Sequence, residues 1–419
     1  MLDLKLLRDN PDAIRDGLKR RGNTNSIDGL VKLDRDRREL ITGIENDRCA
    51  LKERSDVFAK QKAGGASAPP VELKRLSDSI KEREQQLRQL EEQIVRELAY
   101  LPNIPHASLP VGDARVNRIV RAVGEKPQHG FTPKSHMELA EQHGLMDFGR
   151  AAKMTGSHFP LFTGRGARLE RALINWMLDI QTKEHGYTEI SPPFLVNRAS
   201  MFGTGQLPKF EEDMYRLKDD DLFLVPTAEV PLTNLYRDEI LDEVQLPLQC
   251  TAYTACFRRE AGSYGKETRG LVRVHQFDKV ELVKFVKPET SYEELERLVG
   301  DAETILKRLG LHYRVVCLAT GDLGFSAAKC YDLEAWAPGL NQFLEVSSCS
   351  NFEDFQARRA NIRYRQTATK KVGFVHTLNG SGVALARTLI CLLETHQRGD
   401  GRIAIPEPLR PYFDGQDLL

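Results

Sequence analysis

Residues 251–285 read TAYTACFRREAGSYGKETRGLVRVHQFDKVELVKF, and the rest of the chain can be interpreted outward from them. The segment begins with a run of small, aromatic and β-branched residues, passes through a charged stretch with several glycines, and returns through a second run. That second run extends from Val272 to Phe285, and its β-branched and aromatic residues are typical of strands. The pattern predicts two strands joined by a charged loop.

Charged side chains stand where the first strand gives way to the loop. Arg258 and Glu260 lie there, and side chains two positions apart project to the same side of an extended segment. The loop, residues 261–270, carries Lys266 and Arg269. An arginine held by a strand can grip phosphate or carboxylate through two parallel hydrogen bonds. The residues alone leave two interpretations open: a site for a polyanion, or an ordinary charged hairpin of a large sheet.

Length and charge limit the possible architectures. A chain of 419 residues is too long for one ordinary core, so two domains are expected. The 60 basic and 60 acidic residues balance, and a nucleic-acid partner would therefore have to meet a local basic patch. No run of about 18 apolar residues occurs, which argues against a membrane span.

The 7 cysteines are scattered along the chain and form no C-x-x-C pair. Such a set is typical of reduced thiols in a cytoplasmic protein and not of a disulfide framework. It also lacks the ligand spacing of a structural zinc site. We therefore expect a cytoplasmic protein.

The N-terminal quarter has the pattern of helices. Residues 1–22 suggest one short amphipathic helix, and heptads of apolar residues follow over 27–62 and again over 71–101. The intervening GGASAPP, residues 64–70, breaks helical structure. The pattern predicts an antiparallel two-helix hairpin of roughly 50 Å. By itself it fits either a dimerisation or spacer coiled coil, which is the commoner use of heptads, or a probe for a long, distant ligand.

Beyond the Pro-rich linker at 101–113, strand and helix signals alternate. Helical spacing of apolar residues covers 168–185 and 292–309, and further strands are expected between 310 and 360. Together they indicate an α+β domain on a mixed or antiparallel sheet. Neither a G-x-x-x-x-G-K-[ST] loop nor a convincing dinucleotide fingerprint occurs, so ATP, if used, is held in another way.

Two more stretches give the hairpin its context. The first is LVPTAEVPLTNLY at 224–236. The second is TLNGSGVALARTLICLLETHQ at 377–397, which we interpret as a Gly-rich turn opening a helix. Both are considered together with the 251–285 hairpin. The three resemble the T-x-E loop, motif 3 and motif 2 of class II aminoacyl-tRNA synthetases. Residues 187–210 resemble motif 1, which builds the dimer interface in that class. Along the whole chain, the resemblance is to the bacterial-type seryl-tRNA synthetases.

The resemblance implies an α+β protein in two parts. A tRNA-binding helical domain at 1–103, with an antiparallel coiled-coil arm, precedes a class II catalytic domain at 104–419 on a mostly antiparallel sheet with flanking helices. It implies activation of serine by ATP and Mg²⁺ to seryl-adenylate and pyrophosphate. Serine is then transferred to the 3′ end of tRNA(Ser), and of tRNA(Sec) where such a tRNA exists. The implied assembly is a homodimer.

The implied ATP site centres on Arg258, which would bridge the α-phosphate and the amino-acid carboxylate. Glu260 would hold the adenine end, Phe277 would stack on adenine, and Arg387 would lie on its far face or near the γ-phosphate. These three charged residues are the implied catalytic set. From the residues alone, a core aromatic is the favoured interpretation of Phe277, and Arg387 in an apolar helix needs some anionic partner. The full implied ATP set is Arg258, Arg259, Glu260, Val274, Phe277, Glu345, Val346, Ser347, Ser348 and Arg387.

Glu345 and Ser348 resemble the metal-binding pair of the family. A carboxylate and a hydroxyl are hard oxygen ligands that suit Mg²⁺, which keeps several waters and bridges phosphates. Without the resemblance, a glutamate at this place is an ordinary surface residue.

The resemblance implies five serine-binding residues. They lie in the 224–236 stretch, in the second strand of the hairpin and in the 377–397 stretch. Glu281 would receive the serine hydroxyl, and Thr227 and Glu229 would take the α-ammonium group. Ala228 lies between them, and Ser381 resembles another residue of the serine pocket. A buried acceptor that requires a hydroxyl rejects analogues without one much better than a simple hole does.

Two alternatives remain at this stage. One is another amino-acid specificity within the class, such as threonyl or prolyl, although no Cys/His zinc set can be assigned here and the N-terminal hairpin favours serine. The other is a coiled-coil RNA-binding or scaffold protein on a synthetase fold. Loss of Arg258, Glu281 or Arg387 would favour it, and all three are present. Arg259 departs from the small polar residue common in the family, which puts the electrostatics of the hairpin in doubt.

Overall fold

A computed structural model of the protein describes residues 1–62, 71–261 and 270–419. The helix-breaking segment at 64–70 lies outside the described residues. So do most of the hairpin loop and the two basic residues predicted there, Lys266 and Arg269.

The bounds of the regular elements follow in chain order. The α-helices of the described residues are α1 Leu4–Asp9, α2 Pro11–Arg20, α3 Asp28–Lys62, α4 Val71–Ala99, α5 His136–His143, α6 Phe148–Thr155, α7 Arg165–Lys183, α8 Arg198–Thr204, α9 Glu229–Thr233, α10 Ser291–Arg308, α11 Phe355–Ala360 and α12 Leu385–Thr395. The strands are β1 Arg118–Val123, β2 Thr188–Glu189, β3 Leu195–Asn197, β4 Leu222–Leu224, β5 Ile240–Asp242, β6 Leu248–Phe257, β7 Gln276–Val286, β8 Tyr313–Cys317, β9 Lys329–Ala337, β10 Gln342–Asn351, β11 Arg363–Arg365, β12 Val372–Phe374 and β13 His376–Ala384.

The chain divides into two compact units. One comprises residues 2–19 and 23–102, and the other comprises residues 1, 20–22 and 103–419. The main division thus falls between Pro102 and Asn103, inside the Pro-rich linker.

The first unit is built on the paired helices α3 and α4. Ion pairs join Arg37 to Glu91, at 2.8 Å, and Arg48 to Glu84, at 2.7 Å. The later residue of α3 pairs with the earlier residue of α4, so the two helices are antiparallel. The predicted hairpin is confirmed. At 1.5 Å per residue, the 35 residues of α3 extend about 50 Å.

The prediction of a single helix over residues 1–22 is wrong. Two helices, α1 and α2, occupy this stretch, and Asn10 between them has φ −151° and ψ 70°. Pro11 explains the break, because it lacks an N–H group and disfavours helical backbone in the preceding residue. Pro11 itself fits the first turn of the following helix, where its missing N–H has no intrahelical partner to lose.

An eight-stranded sheet organises the second unit, in the order β1-β8-β9-β10-β13-β7-β6-β2. Every neighbouring pair is antiparallel except β2 with β6. Helices α7, α10 and α12 pack on the sheet. β7 lies inside the sheet, and its Val280, Leu282, Val283 and Phe285 are fully buried. The α+β class and the mostly antiparallel sheet are confirmed.

Two details of the prediction are corrected. The returning strand begins at Gln276, so Val272 and Val274 precede it and do not belong to it. The Gly-rich segment before α12 is strand β13 and not a turn. Its glycines serve close packing: a Cβ on Gly380 would collide with Leu298 of α10. Glycine in a strand interior often marks such a close approach.

Two small sheets complete the unit, one in the order β12-β11-β5 and one formed by β3 and β4.

Within the described ranges, the helices are too short or too polar for any of them to cross a bilayer.

Truncation of Ile305 should destabilise the fold. Ile305 lies on α10 and is fully buried in the main core. Ile305→Ala should lower the free energy of unfolding by about 2–5 kcal/mol, because it removes buried methyl groups and leaves a cavity. Chemical denaturation measures the change. Val244→Ala is the control, since Val244 is 81% exposed, and it should change the value by less than about 0.5 kcal/mol. Equal effects of the two variants would contradict the assigned core.

Candidate active site

Two adjoining cavities open beside the central strands of the sheet. The central cavity, of about 410 Å³, is lined by residues of β7, β10, β13 and α12. The side cavity, of about 470 Å³, lies against the segments around residues 204–214 and 324–326. The two share six lining residues: Gln206, Thr227, Glu229, Arg258, Glu260 and Arg273.

Most of the site residues predicted from the sequence meet at the central cavity. Those on its wall are Thr227, Glu229, Arg258, Glu260, Val274, Phe277, Glu345, Val346, Ser347, Ser348, Ser381 and Arg387. Three others do not line it. Ala228 and Glu281 are fully buried behind the wall, whereas Arg259 is exposed and its backbone N–H donates to the carbonyl of Asp213 at 3.0 Å.

A buried charge cluster stands behind the cavity wall. On β7, the Lys279 ammonium forms an ion pair with Glu281 and donates to Thr227 Oγ1 at 2.8 Å. Thr227 Oγ1 donates to Glu281 Oε2 at 3.2 Å, and Asn379 Nδ2 donates to Oε1 at 3.0 Å. Both oxygens of a fully buried carboxylate are thereby satisfied, as such burial requires.

Sequence reasoning missed Lys279 and Asn379. Each stands two residues before a predicted site residue, Glu281 and Ser381, on the same strand. Since alternate residues of a strand share a face, this spacing was a usable signal.

Glu229 is held in place by neighbours on two sides. Its backbone N–H donates to Thr227 Oγ1 at 3.2 Å, and Gln356 Nε2 donates to its Oε1 at 2.6 Å. Burial, and then the negative charge of Glu281, raises the pKa of Glu229 to about 7. A cationic group arriving in the cavity would favour the ionised carboxylate and lower that pKa again.

Arg258 follows the last residue of β6 and is fixed at the start of the loop that connects β6 to β7. Its backbone N–H donates to the carbonyl of His275 at 2.9 Å, and its Nε donates to the carbonyl of Pro226 at 3.3 Å. The guanidinium carbon lies 5.2 Å from the centroid of the Phe277 ring, within the range of a cation–π contact. The arrangement presents a charged planar group and an aromatic face to one cavity.

The sequence led us to expect extended backbone at Glu260, but the backbone there is not extended. Glu260 has φ +50°, in the left-handed region, so the alternation argument for Arg258 and Glu260 fails. Both side chains nevertheless line both cavities. The Glu260 carboxylate accepts from Arg273 Nη1 at 2.7 Å. Arg273 is a second basic residue of the site that sequence reasoning missed.

Arg387 projects from α12 toward β10. Its Nε donates to the carbonyl of Val272 at 3.2 Å, and its Nη1 donates to the carbonyl of Glu345 at 3.0 Å. The Glu345 carboxylate, 3.4 Å from Nη1, is the anionic partner that the sequence required. It is still 48% exposed, so this pair can rearrange around a ligand.

Oxygen donors suited to a hard cation lie on β10. Ser348 Oγ is 3.1 Å from Cys330 Sγ, and Ser348 pairs in register with Asp332 of β9. Burial, and then the negative charge of Glu345, raises the pKa of Asp332 to about 8. The oxygen donors gathered here fit a divalent cation, whose positive charge would favour the ionised form of Asp332 and lower its pKa. No group of three or more His, Cys, Asp and Glu in the described part of the chain is placed to cage a metal.

The side chains of the two residues between Glu345 and Ser348 contribute to the packing and hydrogen bonding of the sheet. Val346 is buried in the main core, and the Ser347 hydroxyl donates to the backbone carbonyl of Ser381 at 2.6 Å. A bulge in the pairing of β9 with β10 falls between Glu345 and Ser347. Bulges re-aim the side chains that flank them, which helps bring Glu345 and Ser348 to one wall.

Comparison with known proteins identifies the family. Residues 1–105 match the pattern described as the seryl-tRNA synthetase N-terminal domain, and residues 209–396 match the class II core domain of synthetases for G, H, P, S and T. The serine–tRNA ligase of Carboxydothermus hydrogenoformans is 54% identical, over 99% of this chain and 98% of that protein.

Solved structures agree. Seryl-tRNA synthetase from Pyrococcus horikoshii, complexed with ATP, superposes with a TM-score of 0.93 at 38% identity, covering 100% of this chain and 99% of that one. The cytoplasmic serine–tRNA ligase of Naegleria fowleri, in complex with AMP, gives a TM-score of 0.87 at 32% identity, covering 100% and 98%. The chain belongs to the seryl-tRNA synthetase family of class II aminoacyl-tRNA synthetases.

Proposed function

We propose that this protein is an ATP-dependent serine–tRNA ligase whose chemistry takes place in the central cavity. The observation that carries the proposal is the meeting, on one cavity, of Arg258 with a buried polar pocket. That pocket contains Thr227, Glu229 and, behind them, Glu281. It offers negative charge for the α-ammonium group and hydrogen-bond acceptors for the side chain of a small, hydroxylated amino acid. The relatives named serine–tRNA ligase support the same activity.

In the first step, a carboxylate oxygen of serine attacks the α-phosphorus of ATP. The bond from that phosphorus to the bridging oxygen breaks, and pyrophosphate leaves with the electron pair. Two anions must approach each other, so a cation between them lowers the barrier. Arg258 has this role, because its guanidinium stands at the mouth of the hairpin beside the polar pocket. The ATP bound to the Pyrococcus horikoshii relative supports ATP as the co-substrate.

The adenine of ATP lies between Phe277 and Arg387 in this proposal. Both line the central cavity, and Glu260, which accepts a hydrogen bond from Arg273, would accept another from the adenine amino group. Glu345 and Ser348 are the residues that would hold Mg²⁺. When bound, the ion neutralises negative charge on the phosphates. Its oxygen-rich surroundings on β9 and β10 fit this role.

In the second step, a ribose hydroxyl at the 3′ end of tRNA attacks the carbonyl carbon of seryl-adenylate. The bond from that carbon to the phosphate oxygen breaks, AMP leaves, and the hydroxyl proton moves to the departing phosphate. No protein nucleophile is needed, because the acceptor is the ribose itself. The protein contributes positioning and charge neutralisation.

Selection of serine rests on the charge cluster. Thr227 and Glu229 hold the α-ammonium group, and Glu281 with Ser381 receives the side-chain hydroxyl. Lys279 and Asn379 hold the Glu281 carboxylate ready, so it need not reorganise when serine enters. Alanine has no hydroxyl to donate to the Glu281 carboxylate, and a site built to bind a hydroxyl rejects such an analogue far more strongly than a simple hole does.

The α3–α4 hairpin binds the tRNA in this proposal. Its Arg and Lys side chains would contact the RNA backbone and recognise shape more than sequence. We further propose a cytoplasmic homodimer that forms through residues 187–210. Its RNA substrates are tRNA(Ser), and tRNA(Sec) in cells that have one.

Pyrophosphate exchange tests the activation step. Purified protein should catalyse ATP–pyrophosphate exchange with serine, and not with threonine, alanine, cysteine, proline or glycine, in the absence of tRNA. Arg258→Ala should lower the rate by at least about a hundredfold, because it removes the cation between two reacting anions. Arg216→Ala is the matched control, since Arg216 pairs with Glu211 and Asp221 at an exposed position. Exchange with another amino acid, or full activity of Arg258→Ala, would contradict the proposal.

The KM for serine should depend on pH. The raised pKa of Glu229, about 7, leaves the carboxyl protonated at pH 6 and ionised at pH 8. Only the ionised form attracts the α-ammonium group, so the KM for serine should fall about tenfold from pH 6 to pH 8.

The KM for ATP, measured in parallel, is the control and should change much less. Glu229→Gln keeps the shape of the side chain, so it should raise the KM for serine and abolish its pH dependence. A wild-type KM for serine that stays constant across this range would count against the role of Glu229.

Shortening the arm should separate the two steps. Replacing residues 45–83 by a short Gly-Ser link keeps the Arg37–Glu91 ion pair at the base of the hairpin. Serine-dependent exchange should stay within twofold of the full-length protein. The kcat/KM for charging of tRNA should fall on the order of a hundredfold, because contacts to phosphates are lost. Undiminished charging would show that the arm only has a structural role.

A further inference from the structure

A buried histidine and glutamate take no part in the mechanism proposed above. His136, the first residue of α5, is 1% exposed, and Glu394, in the last turn of α12, is fully buried. Neither residue lines the central cavity or the side cavity. Polar side chains at such depth are costly in free energy unless their polar atoms find partners. The partners of this pair therefore indicate its role.

Both carboxylate oxygens of Glu394 accept hydrogen bonds from two donors. Oε1 accepts from the backbone N–H of His136 at 2.8 Å and lies 3.1 Å from His136 Nδ1. Oε2 accepts from the backbone N–H groups of Gly339 and Leu340, at 2.9 and 3.1 Å. Those two residues lie in the turn between β9 and β10. One carboxylate thus joins the end of α12 to the start of α5 and to the turn that leads into β10.

The ring of His136 is neutral in this arrangement. The backbone N–H of Leu271 donates to His136 Nε2 at 3.3 Å, so that nitrogen carries no proton. The ring proton is then on Nδ1, which donates to Glu394. The imidazole therefore connects Glu394 to Leu271, the first residue after the hairpin loop.

The end of the hairpin loop lies directly against this ring. Gly270 has φ +69°, a conformation that favours glycine. A Cβ at Gly270 would also collide with His136 Nε2 and with Met137 Sδ. The contact between the loop end and His136 thus leaves no room for a larger residue.

Two of the elements that meet at Glu394 carry residues assigned to ATP. Arg387 lies seven positions before Glu394 on α12, which is about two turns of helix. β10, which follows the turn bound to Glu394, carries Glu345 and Ser348 on the wall of the central cavity. The carboxylate therefore ties α12 to the start of β10.

His136 adds a third element, the segment that follows the hairpin loop. Residues 271–274 line the central cavity, and the carbonyl of Val272 accepts from Arg387 Nε at 3.2 Å. The N–H of Leu271, one residue earlier, is held by His136. This segment and α12 are thus bridged twice, once in the cavity by Arg387 and once outside it by the histidine–glutamate pair.

We propose that His136 is a positioning residue of the ATP site. Its neutral ring holds the 271–274 segment to α12 and so sets the width of the space in which Phe277 and Arg387 enclose the adenine. The inference rests on the ATP site of the function proposed above. When Arg387 turns toward the nucleotide, its bond to Val272 is free to break. The bond from Leu271 to His136 does not involve the nucleotide, so it keeps the segment in place.

Two substitutions of His136 in the full chain separate its two side-chain hydrogen bonds. His136→Gln places an amide oxygen near the position of Nε2, where it can accept from Leu271. His136→Asn places its amide near Nδ1 and leaves that N–H without an acceptor. In His136→Asn, the Kd for ATP by equilibrium dialysis and the KM for ATP in exchange should rise about tenfold, the factor for one lost hydrogen bond. In His136→Gln both constants, and in both variants the KM for serine, should stay within about twofold.

Gly270→Ala reaches the same contact from the other side. Its methyl group would displace the ring from Leu271, so it should also raise both constants for ATP and spare the KM for serine. This variant leaves His136 in place, and it tests the inference if His136→Asn does not fold.

Tyr313→Phe is the matched control. Tyr313 of β8 is fully buried in the same unit, and its hydroxyl donates to Glu303 of α10 at 2.8 Å. The substitution removes one buried hydrogen bond that involves none of the three elements joined by His136 and Glu394. It should lower the free energy of unfolding about as much as His136→Asn does and leave both constants for ATP unchanged. The comparison separates positioning of the site from a general loss of stability.

Hydrogen exchange gives a readout that does not depend on activity. The Leu271 amide is buried and bound to His136, so its hydrogen should exchange slowly in the wild type. Exchange should be faster in His136→Asn and remain slow in His136→Gln. Mass spectrometry of peptides that cover residues 270–275 measures it.

Three results would overturn the inference. The first is ATP binding by His136→Asn that is as tight as in the wild type. The second is an equal rise of the constants for ATP and serine, which would assign His136 to the fold in general. The third is Leu271 exchange at one rate in all the proteins. A wild type that neither binds ATP nor catalyses exchange would instead refute the proposed function, and hydrogen exchange would still report on the contact.

Discussion

The antiparallel pairing of β6 with β7 is the constraint on which the site depends. Its register runs without interruption from Leu248 opposite Phe285 to Phe257 opposite Gln276. Ten consecutive pairs bury the middle of β7 and set Arg258 at the loop end of the hairpin. The depth of Glu281 and the position of Arg258 are therefore fixed by one ladder of backbone hydrogen bonds. A slip of one residue would turn every side chain of β7 to the opposite face.

The interior position of β7 also explains why the charges behind the cavity are tolerated. A carboxylate and an ammonium buried side by side cost much solvation free energy, which their attraction offsets only with good additional hydrogen bonds. Thr227 from one segment and Asn379 from the neighbouring strand provide these bonds. Hydrogen bonds from two neighbouring segments thus hold the charge cluster in place on the sheet.

The sequence allowed most of the architecture to be predicted, because helical periodicity, heptads and strand composition are local signals. The residues of the site came mainly from the family resemblance, and the structure brings most of them to one cavity. What could not be predicted depends on long-range contacts or on single backbone angles. Arg273 is recognisable only once Glu260 is seen beside it, and Glu260 itself has a left-handed φ that composition does not reveal. The glycines of β13 resembled a turn because the helix packed over them is distant in sequence.

The half-titrated state of Glu229 has a thermodynamic consequence. Near neutral pH its carboxyl is partly protonated, since its pKa is raised to about 7. If the α-ammonium group of serine selects the ionised form, each binding event expels a fraction of a proton into the solvent. The heat of serine binding then includes the heat with which the buffer takes up that proton. Calorimetry in two buffers of different ionisation enthalpy would count the protons released and so report the protonation of one buried side chain.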